Sequence, residues 1–82
     1  MGEERFIVIG RSTCVFCTMT EDLLAASSKS FIFLDYSTRS SILEDYKEFH
    51  NQATVPIILS NNTTTGYTKK IGGYTDLLEY LK

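Results

Sequence analysis

The chain has 82 residues, of which 43% are hydrophobic, and its formal net charge is −2. This length predicts a single domain over residues 1–82, and the hydrophobic share excludes a wholly disordered chain. The negative balance supplies no basic surface for nucleic acid or an anionic membrane, so neither is an expected partner. The acidic N-terminus does not resemble a signal peptide and no apolar run could span a bilayer, so we expect a cytoplasmic protein.

The first third of the chain predicts a strand, a helix and a second strand. Phe6–Ile9 is a continuous apolar run, as in a strand that is buried on both faces. A helix is predicted from about Cys14 to Ala26, and Phe31–Leu34 repeats the apolar pattern of the first strand. Because strand–helix–strand units cross over into parallel pairs, these two strands should be neighbours in one sheet.

A second helix is predicted in the middle of the chain. Ser41 and Glu44 have the spacing of a capping box at its start. His50 should lie near its end, where a cation suits the helix dipole. The predicted core face consists of residues spaced along one helical stripe: Ile42, Leu43, Tyr46 and Phe49.

The last third predicts a hairpin and a final helix. Val55–Leu59 reads as a third strand, Ser60–Gly66 as a polar turn, and Tyr67–Ile71 as a fourth strand. The last helix should begin at about Thr75, with its core face formed by Leu77, Leu78 and Leu81. The order βαβαββα predicts an α/β fold in which three helices flank a mixed four-stranded sheet.

The two cysteines, Cys14 and Cys17, lie three residues apart at the predicted start of the first helix. Unpaired N–H groups and the helix dipole favour the thiolate form of the first sulfur, and Arg11 adds a nearby positive charge. Cys14 is therefore the predicted nucleophile. Cys17, one turn further into the helix, should be less exposed and could resolve a mixed disulfide.

Two other interpretations of the cysteine pair stay open at this point. The pair could be half of a zinc site, although zinc usually takes four ligands and His50 is the chain's one histidine. The two cysteines could also be buried without any chemistry. The surrounding strand–helix pattern favours a redox motif, so we predict no metal.

Three segments together resemble one family. Ile9–Cys17 resembles the active-site segment of glutaredoxins, Thr54–Pro56 resembles their TVP segment, and Ile71–Leu77 resembles their glutathione-binding G-G-x-x-D motif. The order and spacing match those of short bacterial and bacteriophage-type dithiol glutaredoxins. The resemblance implies a thioredoxin-like fold, a monomer, and glutathione as the reductant.

The resemblance also implies which residues hold glutathione. The backbone of Val55 would pair with the glutathione cysteine, next to a cis bond at Pro56. The N–H groups of Thr75 and Asp76 would bind the γ-glutamyl carboxylate, and Arg11 would approach the glycyl carboxylate. The full implied set is Arg11, Phe16, Thr54, Val55, Pro56, Gly73, Tyr74, Thr75 and Asp76.

Ordinary structural roles remain open for several of these residues. Pro56 could be an edge-strand proline, Thr75 and Asp76 could simply cap the helix, and Arg11 could be a solvated loop residue. The middle dipeptide Val15-Phe16 replaces the usual Pro-Tyr, and residues 60–70 are longer than the hairpin usual in short glutaredoxins. One interpretation is that Tyr67, Lys69 and Lys70 bind a partner. We expect instead that the lengthening carries no function, because surface loops tolerate insertions.

The implied activity is glutathione-dependent reduction of protein or glutathione mixed disulfides by Cys14 and Cys17. By analogy with the family, ribonucleotide reductase is a candidate protein substrate. Two alternatives come from other classes. Some glutaredoxins carry a [2Fe–2S] cluster on the first active-site cysteine and bound glutathione, and a thioredoxin-like domain can also serve as a binding module without catalysis.

Overall fold

The computed structural model describes residues 3–82 and contains the seven expected elements. They are β1 (Glu4–Gly10), α1 (Val15–Ala26), β2 (Ser30–Asp35), α2 (Ser40–Phe49), β3 (Ile57–Asn62), β4 (Thr68–Gly72) and α3 (Tyr74–Tyr80). The sheet order is β2-β1-β3-β4, with β1 parallel to β2 and both other pairs antiparallel. The predicted mixed sheet with three helices is confirmed.

Both faces of the sheet are covered, because alternate side chains of each strand point to opposite faces. One buried cluster joins the sheet to α1 and α3 through Phe6, Val8, Leu24, Ile58 and Leu77. A smaller cluster joins the other face to α2 through Ile9, Leu43 and Ile57. This arrangement explains why β1 reads as a continuous apolar run rather than an alternating one. No helix within residues 3–82 is both long and apolar enough to cross a membrane.

Two predictions about α2 are wrong. The helix begins at Ser40 behind Arg39, whose side chain makes no cap, so Ser41 and Glu44 form no capping box. Glu44 instead forms an ion pair with Lys47 at 2.9 Å. Phe49 does not belong to the core face, since 82% of it is exposed and its ring packs edge-on against His50.

The predicted boundaries of the hairpin also need correction. β3 begins at Ile57 rather than Val55, and the Val55–Pro56 peptide bond before it is cis, as the resemblance implied. Ser60 lies inside β3 rather than in the turn, since it pairs with Phe6 of β1. The turn is therefore shorter than predicted and occupies residues 63–67.

The final helix differs from its prediction in one residue of the core face. Leu77 is fully buried, whereas Leu78 is 39% exposed. Because α3 has only seven residues, it packs on the sheet with two turns, and Leu78 faces away from the sheet.

Candidate active site

Cys14 is the N-cap residue of α1. Its backbone is extended, with φ −91° and ψ 122°, and its sulfur accepts a hydrogen bond from the N–H of Cys17 at 3.3 Å. The sulfur thus takes the place of the oxygen with which Ser or Asp usually caps a helix. The N–H of Cys14 donates to the carbonyl of Arg11 at 3.2 Å. A partly exposed sulfur is therefore held by backbone groups at the start of the helix.

Cys17 is fully buried one turn below it. A Cβ at position 10 would collide with the Cys17 sulfur, so Gly10 provides the space for that sulfur. Burial, followed by the hydrogen bond with Cys14, raises the pKa of Cys17 from 9.0 to about 12. Both cysteines are free thiols. The two sulfurs are as unequal in exposure as the sequence predicts.

The loop between β1 and α1 is held by a polar group at the end of β2. The N–H of Ser12 donates to the Asp35 carboxylate at 3.2 Å and to the Ser37 hydroxyl at 3.0 Å. The Ser37 hydroxyl and N–H lower the pKa of Asp35 below 3.8, because both donate to its carboxylate. These contacts position the loop that leads to Cys14. The sequence signal is weak, a polar residue at the end of an apolar strand.

The loop before β3 is clamped by Gln52, for which the sequence predicted no role. Its amide Nε2 donates to the carbonyls of Thr54 at 2.9 Å and Pro56 at 2.8 Å. The carbonyl of Val55, between these two, lies 3.9 Å from the sulfur of Cys14. The clamp thus leaves Val55 facing the nucleophile.

The start of α3 is shaped by Gly72 and Asp76. Gly72 has φ +124°, which L side chains rarely adopt, and a Cβ there would collide with the Asp76 carboxylate. That carboxylate accepts the N–H of Gly73 at 2.8 Å. Asp76 therefore does cap α3, while the N–H groups of the first turn, Thr75 included, have no carbonyl partner within the helix.

The start of α1, the loop before β3 and the start of α3 meet around one cleft of about 700 Å³. Its walls contain all of the predicted glutathione contacts except Arg11: Phe16, Thr54, Val55, Pro56, Gly73, Tyr74, Thr75 and Asp76. The rings of Phe16 and Tyr74 lie 5.9 Å apart and join α1 to α3 at one wall. Arg11 is exposed and lies outside the lining. The cleft also includes Ile71 and Gly72 of the G-G-x-x-D segment, and Gln52 and Lys70, for which the sequence predicted no place in the site.

The two departures from the family's active-site segment leave this geometry intact. α1 begins at Val15 without a proline, and Val15 is 70% exposed. Phe16 supplies an aromatic wall without a hydroxyl group.

His50 lies at the C-cap of α2, as predicted. Burial and then the nearby charge of Lys70 lower its pKa below 6.5, which disfavours the cation that would suit the helix dipole there. Within residues 3–82, no three side chains of His, Cys, Asp or Glu come together as a metal site.

Two free thiols lie at a helix start, beside a cleft formed by a cis-proline loop and a glycine turn. This arrangement is that of a thiol–disulfide oxidoreductase of the thioredoxin-like class. The family model described as Glutaredoxin matches residues 6–64. The chain therefore belongs to the glutaredoxin family, which generally uses glutathione as its reductant.

Solved structures of glutaredoxins share the fold. A wheat glutaredoxin is 27% identical with a TM-score of 0.75, over 90% of this chain and 66% of the wheat chain. Glutaredoxin 1 from Francisella tularensis, in complex with cacodylate, is 20% identical with a TM-score of 0.65, over 95% and 92%. A glutaredoxin from Archaeoglobus fulgidus has the same identity and TM-score, over 100% and 88%. Because these two structures are only 20% identical to this chain, they show a shared fold and nothing more. No curated protein sequence matches the chain significantly.

Proposed function

We propose that this glutaredoxin is a glutathione-dependent oxidoreductase that reduces protein or glutathione mixed disulfides through Cys14 and Cys17. The observation that carries the proposal is the position of the Cys14 sulfur, which caps α1 and lies 3.9 Å from the carbonyl of Val55. Because Val55 lines the cleft, a disulfide held there would lie beside the nucleophile.

In the proposed reaction, the Cys14 thiolate attacks the glutathione sulfur of a mixed disulfide. The old S–S bond breaks, the substrate leaves as a thiolate, and a bond between Cys14 and glutathione forms. A second glutathione thiolate then attacks that glutathione sulfur, which releases glutathione disulfide and restores Cys14. With a protein disulfide, Cys17 instead attacks the Cys14 sulfur, and two glutathione molecules later reduce the resulting Cys14–Cys17 disulfide.

Glutathione would lie along the cleft. The backbone of Val55 pairs with its cysteine, the N–H groups of Thr75 and Asp76 bind the γ-glutamyl carboxylate, and the Asp76 carboxylate accepts its ammonium group. Arg11 reaches the glycyl carboxylate from outside the lining. The remaining proposed contacts shape the walls: Phe16, Thr54, Pro56, Gly73 and Tyr74. This assignment is supported by the meeting of these segments in one cleft.

The test compares Cys14→Ser with Cys17→Ser. We expect Cys14→Ser to abolish glutathione-dependent reduction of a glutathionylated protein, because no nucleophile is left. Cys17→Ser should keep part of this activity, because glutathione itself resolves the mixed disulfide. Full activity of the Cys14 variant, or wild-type turnover without glutathione, would contradict the proposal.

The proposed setting is a reducing compartment, for which the cytoplasm is the expected choice, because both thiols must be free to act. We propose a monomer whose partners are glutathione and disulfide-containing proteins, with ribonucleotide reductase as a candidate from the family analogy.

A further inference from the structure

One side of α2, from Ile42 to the C-cap His50, carries an apolar surface that the proposed glutathione site does not use. A depression of about 460 Å³ lies between five residues, here called the α2 patch: Ile42, Asp45, Tyr46, Phe49 and His50. Phe49 is 82% exposed, and its ring meets the His50 ring edge-on at 4.9 Å. An exposed phenylalanine forgoes about 1.5–3 kcal/mol of burial, so a cluster of this kind suggests a binding surface.

Lys70 connects this patch to the cleft. Its side chain lines the cleft, and its ammonium group donates to the carbonyl of His50 at 2.7 Å. The ion pairs within residues 3–82 are formed by Lys47 with Glu44 and by Lys82 with Glu79. In that part of the chain Lys70 has no carboxylate partner. A positive charge that forms no ion pair with a described carboxylate therefore lies between the cleft and the α2 patch.

We propose that the cleft, Lys70 and the α2 patch form one docking surface for disulfide-containing protein segments with an acidic residue and an apolar residue near the reacting cysteine. The cysteine would lie beside Cys14, its acidic neighbour would pair with Lys70, and the apolar side chain would cover Phe49. Asp45 disfavours a second acidic residue at the far end of the patch. This inference rests on the proposed function and names the class of its protein substrates.

The reaction on such a segment follows the dithiol route. The Cys14 thiolate attacks one sulfur of the substrate disulfide, that bond breaks, and the other substrate sulfur leaves as a thiolate. Cys17 then attacks the Cys14 sulfur and releases the docked segment as a thiol. The resulting Cys14–Cys17 disulfide takes two electrons from two glutathione molecules, which leave as glutathione disulfide.

The test uses disulfide-linked dimers of short peptides. In the first peptide, the central cysteine has aspartate and then leucine on both sides, so the direction of binding does not matter. A second peptide has asparagine in place of aspartate, and a third has serine in place of leucine. Their reduction is followed at saturating glutathione, with KM and kcat measured separately.

Two variants have matched controls. Lys70→Gln is compared with Lys69→Gln, which removes the same charge from a lysine that lies over the Tyr80 ring. Phe49→Ser is compared with Tyr67→Ser, which removes another exposed aromatic ring.

For the aspartate–leucine peptide, we expect KM to rise about fivefold in Lys70→Gln and about tenfold in Phe49→Ser, with kcat unchanged. The effect of Lys70→Gln should disappear with the asparagine peptide, and that of Phe49→Ser with the serine peptide. Phe49→Ser should leave reduction of a small glutathione mixed disulfide unchanged.

Unchanged KM values in variants that still require Cys14 and glutathione would overturn the docking inference and leave the proposed function standing. Equal effects from the control variants would also overturn it. So would sedimentation that shows a dimer of this chain dissociated by Phe49→Ser, because a second copy would then cover the patch. If Cys14→Ser were fully active, the proposed function itself would fail.

Discussion

The polar groups at the two ends of the β3–β4 hairpin differ in whether they are hydrogen-bonded within the protein. At the turn end, the Glu4 carboxylate accepts the hydroxyls of Ser60 and Tyr80, and the side chain of Asn62 accepts two N–H groups of the turn. At the cleft end, the first turn of α3 leaves N–H groups without helical partners, and the Val55 carbonyl accepts the Cys14 thiol at 3.9 Å. The polar groups at the turn end are thus hydrogen-bonded to one another, whereas the N–H groups of the first turn of α3 at the cleft end are available to a ligand.

Two glycines provide the strongest test of this contrast, because each has a positive φ at one end of the hairpin. Gly72 has φ +124° and a Cβ there would meet the Asp76 carboxylate, whereas Gly66 has φ +79° and open space around it. We expect Gly72→Ala to lower the free energy of unfolding by about 3 kcal/mol and to raise the KM for glutathione at least tenfold. Urea unfolding and steady-state kinetics measure the two effects.

Gly66→Ala is the control for this change. It should lower the free energy of unfolding by about 1 kcal/mol, through its backbone conformation alone, and leave the KM for glutathione unchanged. Similar kinetic effects of the two substitutions would mean that the two ends do not differ as described.

A second comparison uses two amide side chains. Gln52 donates to two carbonyls of the cleft loop, whereas Asn61 donates to the Thr68 hydroxyl at 2.8 Å near the turn. Gln52→Ala should lower the free energy of unfolding by about 2 kcal/mol and raise the KM for glutathione, because the loop around Val55 loses its clamp. Asn61→Ala should lower stability by about 1 kcal/mol with unchanged kinetics. A normal KM in Gln52→Ala would show that the loop holds its shape without the clamp.

The parts of the site that the sequence predicted are those in which local chemistry is enough. The spacing of Cys14 and Cys17 is typical of a redox motif at a helix start. The order of strands and helices along the chain follows from the apolar runs and the segments between them. Gln52 and Asp35 were missed because their roles depend on which carbonyl or N–H group the folded chain brings near them. Ser12, for example, is 23 residues from the carboxylate that holds it.

The wrong predictions have a similar physical origin. Periodicity placed Phe49 on the core face of α2, but its ring packs against His50 at the C-cap, a contact that periodicity does not predict. The apolar run from Val55 to Leu59 reads as one strand, although the backbone enters the ladder only at Ile57.

The hydrogen bonds of Glu4 at the turn end predict how the free energy of unfolding depends on pH. Burial alone would raise the pKa of Glu4, but hydrogen bonds from Ser60 and Tyr80, helped by the charges of Lys29 and Lys69, bring it below 4.5. A lowered pKa in the folded state means that the stabilisation is complete above pH 4.5 and is lost as the pH falls through the folded-state value.

Glu4→Gln should therefore be less stable than the wild type at pH 7, by about 1 kcal/mol. The difference should disappear in acid, and the kinetics with glutathione should not change. Unfolding curves measured between about pH 7 and pH 2.5 test this. A difference that persists at the lowest pH would assign the effect to packing rather than to charge.

The smallest effect is expected at the tip of the turn. Thr64 is exposed, and its contact with Asn62 uses its backbone N–H, which alanine keeps. Thr64→Ala should change the free energy of unfolding by less than about 0.5 kcal/mol and leave turnover unchanged. A clear loss of turnover would assign a function to the turn at residues 63–67, which we expect to have none.

The burial of Cys17 has a consequence for the timing of the proposed reaction. With a pKa of about 12, this thiol is almost entirely protonated at neutral pH and so is a poor competitor for incoming disulfides. Part of that high value comes from Cys14, through its hydrogen bond and its charge, and both disappear when Cys14 enters a mixed disulfide. Cys17 would thus become easier to ionise only after Cys14 has reacted. This change in ionisation would set the order in which the two cysteines act.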